Sequence, residues 1–425
     1  IYNGQAEVIY DRCIGCGNCV KVCTQNAKKV RSSKDNIEYL ITSHKPIAAC
    51  VAPSFAAEFY DINHTIFVGM LHQLGFTYVY EVAFGADIVA LRFKQLLQEN
   101  PNNAYISTSC PAIVNYIEKY HPSLVKHLPP IPSPMVAMGA VIKKIHGDDI
   151  PVVFFGPCLA KKDEALRHDI RKIITEVLTF AELREMFESH HITPDNVIPS
   201  EFNPPYAGKG MLFPLGRGML QAADITEDLL KNNIIATDGT KQFVHTLKEF
   251  EENPQDIQLM ELLCCNGCIM GPGMTTTMNH FSRRALLSTY VKKQYEKINY
   301  EEWQKNIQQY ISIECKVSFF ENNKRFQKPT REALQKILER LGKYKLEDEL
   351  NCGACGYDTC VDHAIAIYMG MAESEMCLPY TIDSLKETAK QLQQSYKELV
   401  NAKNALIQSE KLASLMQRTT ALTSQ

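Results

Sequence analysis

Cysteine and glycine are concentrated in a short stretch whose composition suits a metal cluster. Residues 261–273 read ELLCCNGCIMGPG, so three thiols lie beside three glycines. Glycine lets the backbone bend sharply and come close to sulfur and metal. We therefore expect an iron–sulfur or zinc loop that supplies two of four ligands. Cys110 and Cys158, each in a loop-like setting, are the candidates for the other two.

A second group of cysteines lies near the N-terminus. Cys13, Cys16, Cys19 and Cys23 follow the C-x2-C-x2-C-x3-C spacing of bacterial ferredoxins, which indicates a 4Fe–4S cluster. Thr24 stands where proline usually follows the last cysteine. Because only one such run is present, we assign all four thiols to one cluster. Zinc is the alternative, and the tight run of four cysteines argues against it.

A third group lies near the C-terminus. Cys352, Cys355 and Cys360 have C-x2-C-x4-C spacing, and Cys377 follows after a helix-length gap. This pattern predicts a metal site, with iron–sulfur favoured over zinc, and resembles a small 4Fe–4S domain appended to several redox and signalling proteins. Three four-ligand sites would use twelve of the 15 cysteines. Three cysteines would remain, and they include Cys50 and Cys315.

Composition narrows the class of protein further. The 425 residues carry a net charge of −3, with both signs mixed along the chain, so neither nucleic acid nor an anionic membrane is an expected partner. No run approaches the ~18 apolar residues of a membrane span. Clustered cysteines without secretory marks indicate metal binding in a reducing compartment, so we expect a cytoplasmic protein. The sequence begins at Ile1 without methionine, and we expect the true start to be absent or processed.

Short apolar runs alternate with amphipathic stretches between residues 36 and 300. Strands are predicted at 47–52, 78–82, 104–107 and 152–155, and helices at 86–98 and 135–145. This alternation predicts an α/β fold with sheets covered on both faces. Cys110 and Cys158 each follow a predicted strand, where open α/β sheets place their ligands.

The three central cysteine segments resemble, in order, the signature segments of the FeFe hydrogenases. Those segments read Thr-Ser-Cys-Cys-Pro, Met-Pro-Cys-x-x-Lys-x-x-Glu and Met-x-Cys-x-x-Gly-Cys, and the resemblance covers about residues 45–300. It implies a two-lobed α/β domain with mixed sheets. It also implies that Cys110, Cys158, Cys264 and Cys268 hold a 4Fe–4S cubane, with Cys268 bridging to a diiron unit that carries CO and cyanide. Cys265 leaves a second register open, Cys265-x2-Cys268, although the family spacing favours Cys264.

The same resemblance implies roles for residues around the diiron unit. Lys161 matches the lysine that bonds one cyanide, and Ala52, Pro53 and Ser54 match the segment that holds the other. Glu164 matches a glutamate that forms a salt bridge within its motif. Two further residues are predicted to line the site. They are Phe213 and Met135, the latter standing where the family has glutamine.

The departures from the family concern proton transfer. Ser109 replaces the cysteine that passes protons to the cluster, and a hydroxyl relays protons poorly near neutral pH. By alignment, two relay carboxylates become Phe93 and Leu96. Glu81 and Asp87 are candidates for replacement relays. The ligands are therefore retained while the usual proton path is lost.

The C-terminal tail predicts a coiled coil. Apolar or small residues recur with alternating steps of three and four. They are Ile382, Leu385, Ala389, Leu392, Tyr396 and Leu399. Residues 404–415 resemble the helix leading into the dimerisation domain of sensor histidine kinases, although the phosphoacceptor segment is absent. A single docked helix is the alternative to a parallel dimer.

We predict five segments. They are a ferredoxin-like 4Fe–4S domain (1–36), a hydrogenase domain (37–300), a helical extension (301–348), a second 4Fe–4S domain (349–380) and a coiled-coil helix (381–425).

The leading hypothesis is a slow FeFe hydrogenase that interconverts H2 with protons and electrons and acts as an H2 or redox sensor. Its cofactors would be three 4Fe–4S clusters and the diiron unit. Its partners would be a redox protein such as ferredoxin, a signalling kinase or phosphatase, and a second copy of the chain. The alternative is a hydrogenase-like iron–sulfur electron-transfer or assembly protein without the diiron unit. A third possibility is a catalytic hydrogenase with a rerouted proton path.

Overall fold

The computed structural model describes residues 6–25, 27–43, 45–231, 233–253, 257–327 and 329–423, with side chains up to residue 416. The chain folds as two compact units. The first is Tyr10–Lys324, and the second combines residues 325–423 with residues 6–9. None of the described helices has the length and apolar character needed to cross a membrane.

The first unit is an α/β structure, and the second is helical. The strands are β1 (Ala48–Val51), β2 (Tyr78–Glu81), β3 (Tyr105–Ile106), β4 (Val152–Gly156), β5 (Glu176–Thr179), β6 (Ile234–Asp238) and β7 (Leu259–Leu263). The helices of the first unit are α1 (Asn18–Lys21), α2 (Lys34–Thr42), α3 (Phe55–Glu58), α4 (His64–Leu74), α5 (Ala83–Glu99), α6 (Pro111–Tyr120), α7 (Pro134–His146), α8 (Ala160–Ala165), α9 (Phe180–Ser189), α10 (Gly218–Ala222), α11 (Thr240–Glu252), α12 (His280–Tyr295) and α13 (Tyr300–Tyr310). Those of the second unit are α14 (Arg331–Arg340), α15 (Cys360–Tyr368) and α16 (Leu378–Thr423).

The strands form two separate sheets. One has the order β2-β1-β4-β5, and the other has the order β3-β7-β6. Every pairing among the described strands is parallel, so the prediction of mixed sheets was wrong. The reason is that helical crossovers connect the paired strands, and such crossovers return the chain in the same direction. The α/β fold with two lobes is confirmed.

Burial on both faces explains why these strands read as continuous apolar runs. All four residues of β1 are fully buried, and every residue of β4 and β7 is also buried. Strands of parallel sheets covered by helices have this character. The four predicted strands coincide with β1 to β4 within one or two residues at each end.

The predicted helical extension at 301–348 is only partly helical. Residues 312–327 lie in neither a helix nor a strand. This segment runs along α6 instead, where the backbone N–H of Asn322 donates to the carbonyl of Glu118 at 2.9 Å. The carboxylate of Glu118 accepts from the N–H of Phe320 at 3.0 Å and from Arg167 at 2.8 Å. Hydrogen bonds to another element therefore replace those that a helix would supply.

The C-terminal helix α16 is continuous over 46 residues. Its predicted seam residues are exposed, with 63% of Leu385, 70% of Leu392 and 68% of Leu399 accessible. The coiled coil was predicted from an apolar stripe along a helix, and α16 is one long helix on which that stripe is exposed. The pairing of two such helices stays a prediction.

A buried ion pair between α8 and α9 also binds the chain that leads into α2. Lys162, which is 4% exposed, donates to Glu182 at 2.9 Å, to the hydroxyl of Ser33 at 3.0 Å and to the carbonyl of Arg31 at 3.0 Å. Glu182 also caps α9 through Thr179.

We expect Lys162→Met to lower the free energy of unfolding by about 3 kcal/mol, because it leaves the Glu182 carboxylate buried without its partner. Urea unfolding of the cluster-loaded protein measures this. Lys172→Met, at an exposed lysine nearby, is the control and should change the value by less than ~0.5 kcal/mol. Equal effects of the two substitutions would contradict the role of the pair.

Candidate metal centres and the cavity beside them

The N-terminal cysteine run forms a compact loop around α1. Left-handed backbone at Gly15 (φ 74°) and Gly17 (φ 72°) turns the chain sharply between the thiols. The N–H of Gly15 points at the sulfur of Cys13 at 3.3 Å, and that of Ala27 points at the sulfur of Cys23 at 3.3 Å. Backbone donors of this kind stabilise thiolate sulfur, which is the form that binds iron.

Three of the four predicted cubane ligands lie where strands end. Cys110 begins α6 after β3, Cys158 follows β4, and Cys264 follows β7 directly. The carboxyl ends of strands from both sheets thus deliver sulfur to one region. Cys268 follows Gly267, whose φ is 71° and whose added Cβ would lie 2.7 Å from the carbonyl of Pro214.

Several of these thiols affect one another's pKa. The pKa of Cys158 is raised to about 12, chiefly by burial and in smaller part by the neighbouring charges of Cys110 and Cys265. Burial also raises the pKa of Cys268, with added contributions from Cys158, Cys110 and Cys265. Iron would reverse these shifts, because the ligating sulfur is a thiolate.

The two adjacent cysteines of the third segment differ in surroundings. The thiol of Cys264 is hydrogen-bonded to those of Cys16 and Cys265 and is 2% exposed. The charge of Cys265 contributes to the raised pKa of Cys158 and of Cys268, while the charge of Cys110 contributes to that of Cys264. The geometry therefore keeps both registers open, whereas the family spacing favours Cys264.

The contact between Cys16 and Cys264 joins the N-terminal run to the central site. An added Cβ at Gly17 would lie 2.4 Å from Pro272, so the two loops pack without a gap. Lys21 donates to the carbonyl of Met270 at 3.1 Å. Clusters held by these two loops would be neighbours.

No three His, Cys, Asp or Glu side chains in the described part of the chain lie close enough together to hold a single metal ion.

A buried arginine holds the backbone at the end of the cysteine segment 261–273 and just beyond it. Arg283 on α12 is 7% exposed and donates to the carbonyls of Ile269 and Met278, each at 2.8 Å, and to that of Thr276. These bonds satisfy carbonyls of an irregular segment and hold the backbone just after Cys268.

A cavity of about 80 Å³ lies beside Cys158 and Cys268. It gathers most of the residues that the resemblance assigned to the diiron unit. Those residues are Ala52, Pro53, Ser54, Ser109, Met135, Lys161 and Phe213. Cys110 and Cys264 do not line it. Sequence reasoning therefore pointed to residues from five separate segments that the fold brings to one place.

Three polar groups stand out in this largely apolar cavity. The hydroxyls of Ser54 and Ser109 are buried and have no hydrogen-bond partner among the described residues. The ammonium of Lys161 lies 2.6 Å from Glu164, and both residues are less than a tenth exposed. An unsatisfied buried hydroxyl is costly, so these groups suit a ligand that accepts hydrogen bonds. The donor set fits cyanide ligands, which are anionic acceptors.

The two positions that the resemblance aligned with relay carboxylates are apolar. Phe93 is fully buried, and Leu96 packs against the same hydrophobic cluster. Asp87 is committed to structure, because it accepts from the N–H groups of Gly208 and Gly210 and from the indole of Trp303. Burial raises the pKa of Asp87 to about 6. Neither Phe93 nor Leu96 can carry a proton.

Sequence reasoning missed Glu261 as a site residue. Its side chain lines the cavity although it lies in the apolar strand β7, where a lone carboxylate was the available signal. Burial raises the pKa of Glu261 to about 7, while the N–H groups of Met219 (3.3 Å) and Leu220 (3.2 Å) donate to it. This is a buried acid able to exchange a proton near neutral pH.

The C-terminal cysteines form their own site within the second unit. All four, Cys352, Cys355, Cys360 and Cys377, line one small cavity. The side chain of Asn351 accepts from the N–H of Cys360 at 2.8 Å and closes the loop. The four thiols suit one cluster. The free thiols Cys50 and Cys315 are buried elsewhere, the former in β1 and the latter beside Arg92.

These features define an iron–sulfur protein built on two parallel sheets. The profile of the family described as "Iron only hydrogenase large subunit, C-terminal domain" matches residues 45–272, more than half of the chain. The chain belongs to this family. A "4Fe-4S binding domain" matches residues 6–29, and a "Putative Fe-S cluster" matches residues 348–379.

Curated relatives include proteins of different descriptions. Iron hydrogenase 1 of Clostridium pasteurianum is 25% identical over 62% of this chain and 55% of its own length. The nuclear prelamin A recognition factor of Xenopus laevis is 23% identical over 67% and 78%. The cytosolic Fe-S cluster assembly factor NAR1 of Yarrowia lipolytica is 27% identical over 39% and 38%. The chain thus spans about half of the hydrogenase and less of NAR1.

Solved structures agree in fold. An FeFe-hydrogenase studied for oxygen inactivation of its H cluster has a TM-score of 0.54 at 16% identity, covering 68% of this chain and 99% of that one. A variant of the FeFe-hydrogenase HydA1 from Chlamydomonas reinhardtii has a TM-score of 0.54 at 15% identity, covering 66% and 95%.

We expect mutation to show whether Cys264 or Cys265 is the cluster ligand in residues 261–273. Cys264→Ser should remove about four irons per chain, the content of one cubane, because the family spacing makes Cys264 a ligand. Cys265→Ser is the matched control and should keep the full iron content. Iron analysis and electron paramagnetic resonance of the reduced proteins measure both. Loss of iron in Cys265→Ser alone would assign the other register.

Proposed function

We propose that this protein is a slow FeFe hydrogenase that acts as an H2 or redox sensor. It would hold three 4Fe–4S clusters, through the twelve cysteines named above, and a diiron unit bridged by Cys268. Family membership supports the hydrogenase-type site, and the departures from the usual proton path support a low rate. The protein would work in the cytoplasm.

The observation that carries this proposal is the cavity beside Cys268. A protein that held only the cubane would have no use for two unpaired hydroxyls and an ammonium around an apolar space. Lys161, held by Glu164, and Ser54 are positioned to donate hydrogen bonds to anionic ligands from two walls. When bound, the diiron unit would supply the site at which H2 forms or is split.

The residues of this chain would bind, orient and move protons. Apolar side chains such as Met135 and Phe213 keep water from the cavity, which strengthens the hydrogen bonds made by Lys161. Ser109 lies where the family has a thiol, and its hydroxyl can donate a hydrogen bond but releases its proton poorly near neutral pH. Proton supply must then come from a different group.

Glu261 is suited to that task. It lines the cavity, and its pKa of about 7 keeps both protonation states populated at neutral pH. Asp238 continues the route outward, since β6 pairs in parallel with β7 and places Asp238 on the same face, opposite Leu263. Asp238 is half-buried, so this pair of carboxyl groups leads from the cavity toward solvent.

A second function has its own support. Relatives described as Fe-S cluster assembly factors and as prelamin A recognition factors agree better with an iron–sulfur protein without the diiron unit. In that case the clusters would serve electron transfer or cluster assembly. The apolar residues at the relay positions, Phe93 and Leu96, favour this function as well, because such a protein needs no proton path.

The partners of the sensor stay proposals. Electrons would reach the N-terminal cluster from a redox protein such as ferredoxin, since Cys19 is exposed there. The uncovered stripe of α16 would pair with a second copy of the chain and transmit the state of the clusters to a kinase or phosphatase.

Iron content and infrared spectra decide between the two functions. We expect about fourteen irons per chain in protein matured with the diiron cofactor, against about twelve for three cubanes. CO and cyanide stretching bands should appear, and Lys161→Met should shift the cyanide bands because it removes one donor. Lys162→Met is unsuitable as a control because it destabilises the fold, so Lys172→Met serves. Twelve irons without CO and cyanide bands would favour the second function.

We expect Glu261→Gln to slow H2 turnover by about 100-fold, as for loss of a positioned acid. The carboxylic-acid C=O band that fades as pH rises through about 7 should also vanish, even in protein without the diiron unit. Glu252→Gln, at an exposed helix carboxylate, is the control. Unchanged turnover together with an unchanged band would remove Glu261 from the proton path.

A further inference from the structure

A second cavity, of about 310 Å³, lies elsewhere in the first unit. The end of β2 forms its floor, and α12 and α13 form one wall. It shares no lining residue with the cavity beside Cys268. Its volume falls in the range of small-molecule sites, which is about 300 to 1,000 Å³. Nothing in the proposed hydrogenase chemistry uses it.

The floor of this cavity holds an unsatisfied carboxyl group. Oε1 of Glu81 is inaccessible to water and has no hydrogen-bond partner among the described residues. The hydroxyl of Tyr290 is hydrogen-bonded to the same carboxyl group. A buried oxygen left without a donor costs free energy, so it indicates a binding partner that brings one.

The charges around the cavity favour a cationic partner. Besides Glu81, the carboxyl groups of Glu201 and Glu302 line the cavity, and the one lysine among its lining residues is Lys297. His64 is engaged with Glu201 at 2.9 Å and adds no free donor to the interior. An anion would meet this negative surface unfavourably, whereas a cation would be attracted.

Aromatic rings complete the lining. Tyr206, Tyr290 and Trp303 border the space above Glu81. The indole of Trp303 is held by its hydrogen bond to Asp87 at 3.0 Å and by stacking on Tyr300 at 5.3 Å. Aromatic faces attract organic cations, and a carboxylate at the base of such a site supplies the counter-charge.

We propose that this cavity binds a small organic ammonium ion, with the carboxylate of Glu81 as its ionic partner and the rings of Tyr206, Tyr290 and Trp303 around its alkyl groups. The site would let a second chemical signal act on the same protein. It is independent of whether the diiron unit is present, because all of its residues belong to a separate cavity.

Binding at this site is linked to a proton. The pKa of Glu81 is raised to about 8, chiefly by burial and in smaller part by the charge of Asp87, while the hydrogen bond from Tyr290 opposes the shift. In the free site, Glu81 is therefore mostly protonated at pH 7, and a bound cation would favour its ionised form. Affinity should rise about tenfold per pH unit as pH increases toward 8 and level off above it, with about one proton released per ligand at pH 7.

Calorimetric titration of the full, cluster-loaded chain tests the site. Butylammonium chloride and propylammonium chloride are the probes, butan-1-ol is the neutral analogue, and the ionic strength is held constant with sodium chloride. We expect heat with the ammonium ions, none with butanol, and proton release in buffers of different ionisation enthalpy. Binding of butanol as tight as that of butylammonium, or no binding of either ion, would overturn the proposal.

Two substitutions locate the binding. Glu81→Gln keeps the shape of the side chain and should weaken butylammonium binding at least tenfold at pH 8 while abolishing proton release. Glu301→Gln, at an exposed residue of α13 outside the cavity, should leave both unchanged. Should Glu81→Gln fail to fold, loss of the Glu81 carboxylic-acid infrared band on adding butylammonium to the unmutated protein provides the same information. Equally tight binding of butylammonium by the Glu81→Gln and Glu301→Gln variants would contradict the assignment.

Discussion

The proposed central cluster places one constraint on the first unit, namely that thiols from three distant segments would have to meet around one inorganic core. The chain meets it with two parallel sheets whose strands end on a shared region, so that Cys110, Cys158 and Cys264 each follow a strand. Parallel strands require crossovers, and the crossovers are the helices that bury both sheet faces. Cluster geometry, strand direction and the apolar character of β1, β4 and β7 are thus parts of one arrangement.

The polar groups of this unit divide into those that are satisfied and those that are not. Arg283, Lys162 and Asp87 each make several short hydrogen bonds and hold irregular backbone in place. Ser54 and Ser109 make none among the described residues and border the cavity beside Cys268. Because unsatisfied buried groups are rare in native proteins, their position next to a candidate ligand carries functional information.

Much of this could be predicted from the sequence because cysteine spacing and apolar runs are local patterns. The ferredoxin-like run, the strand before Cys158 and the Lys161–Glu164 pair are all short-range features. Strand direction depends on how distant segments pair, so the parallel sheets were not foreseen. Residues 312–327 escaped prediction for a similar reason, since their hydrogen bonds go to α6. Glu261 was missed because a lone carboxylate in a strand acquires meaning only when a cavity forms beside it.

The retained cavity bears on which of the two functions better explains this chain. A space of about 80 Å³ costs on the order of 2 kcal/mol at about 24 cal/mol per Å³, and each unpaired hydroxyl adds about 1 to 3 kcal/mol. Larger side chains at Ala52 or Ser109 would relieve that cost in a protein that needed only its cubane. The resemblance implies that this chain does admit such replacements, since buried Phe93 would fill a place that the family gives to a carboxylate. On the alignment that the resemblance implies, substitution has reached both the proton path and the cavity, where Ser109 and Met135 stand in place of family residues, but it has not filled the space. That difference is expected if the cavity still holds a ligand while fast turnover is no longer required, which is the combination that a sensor needs.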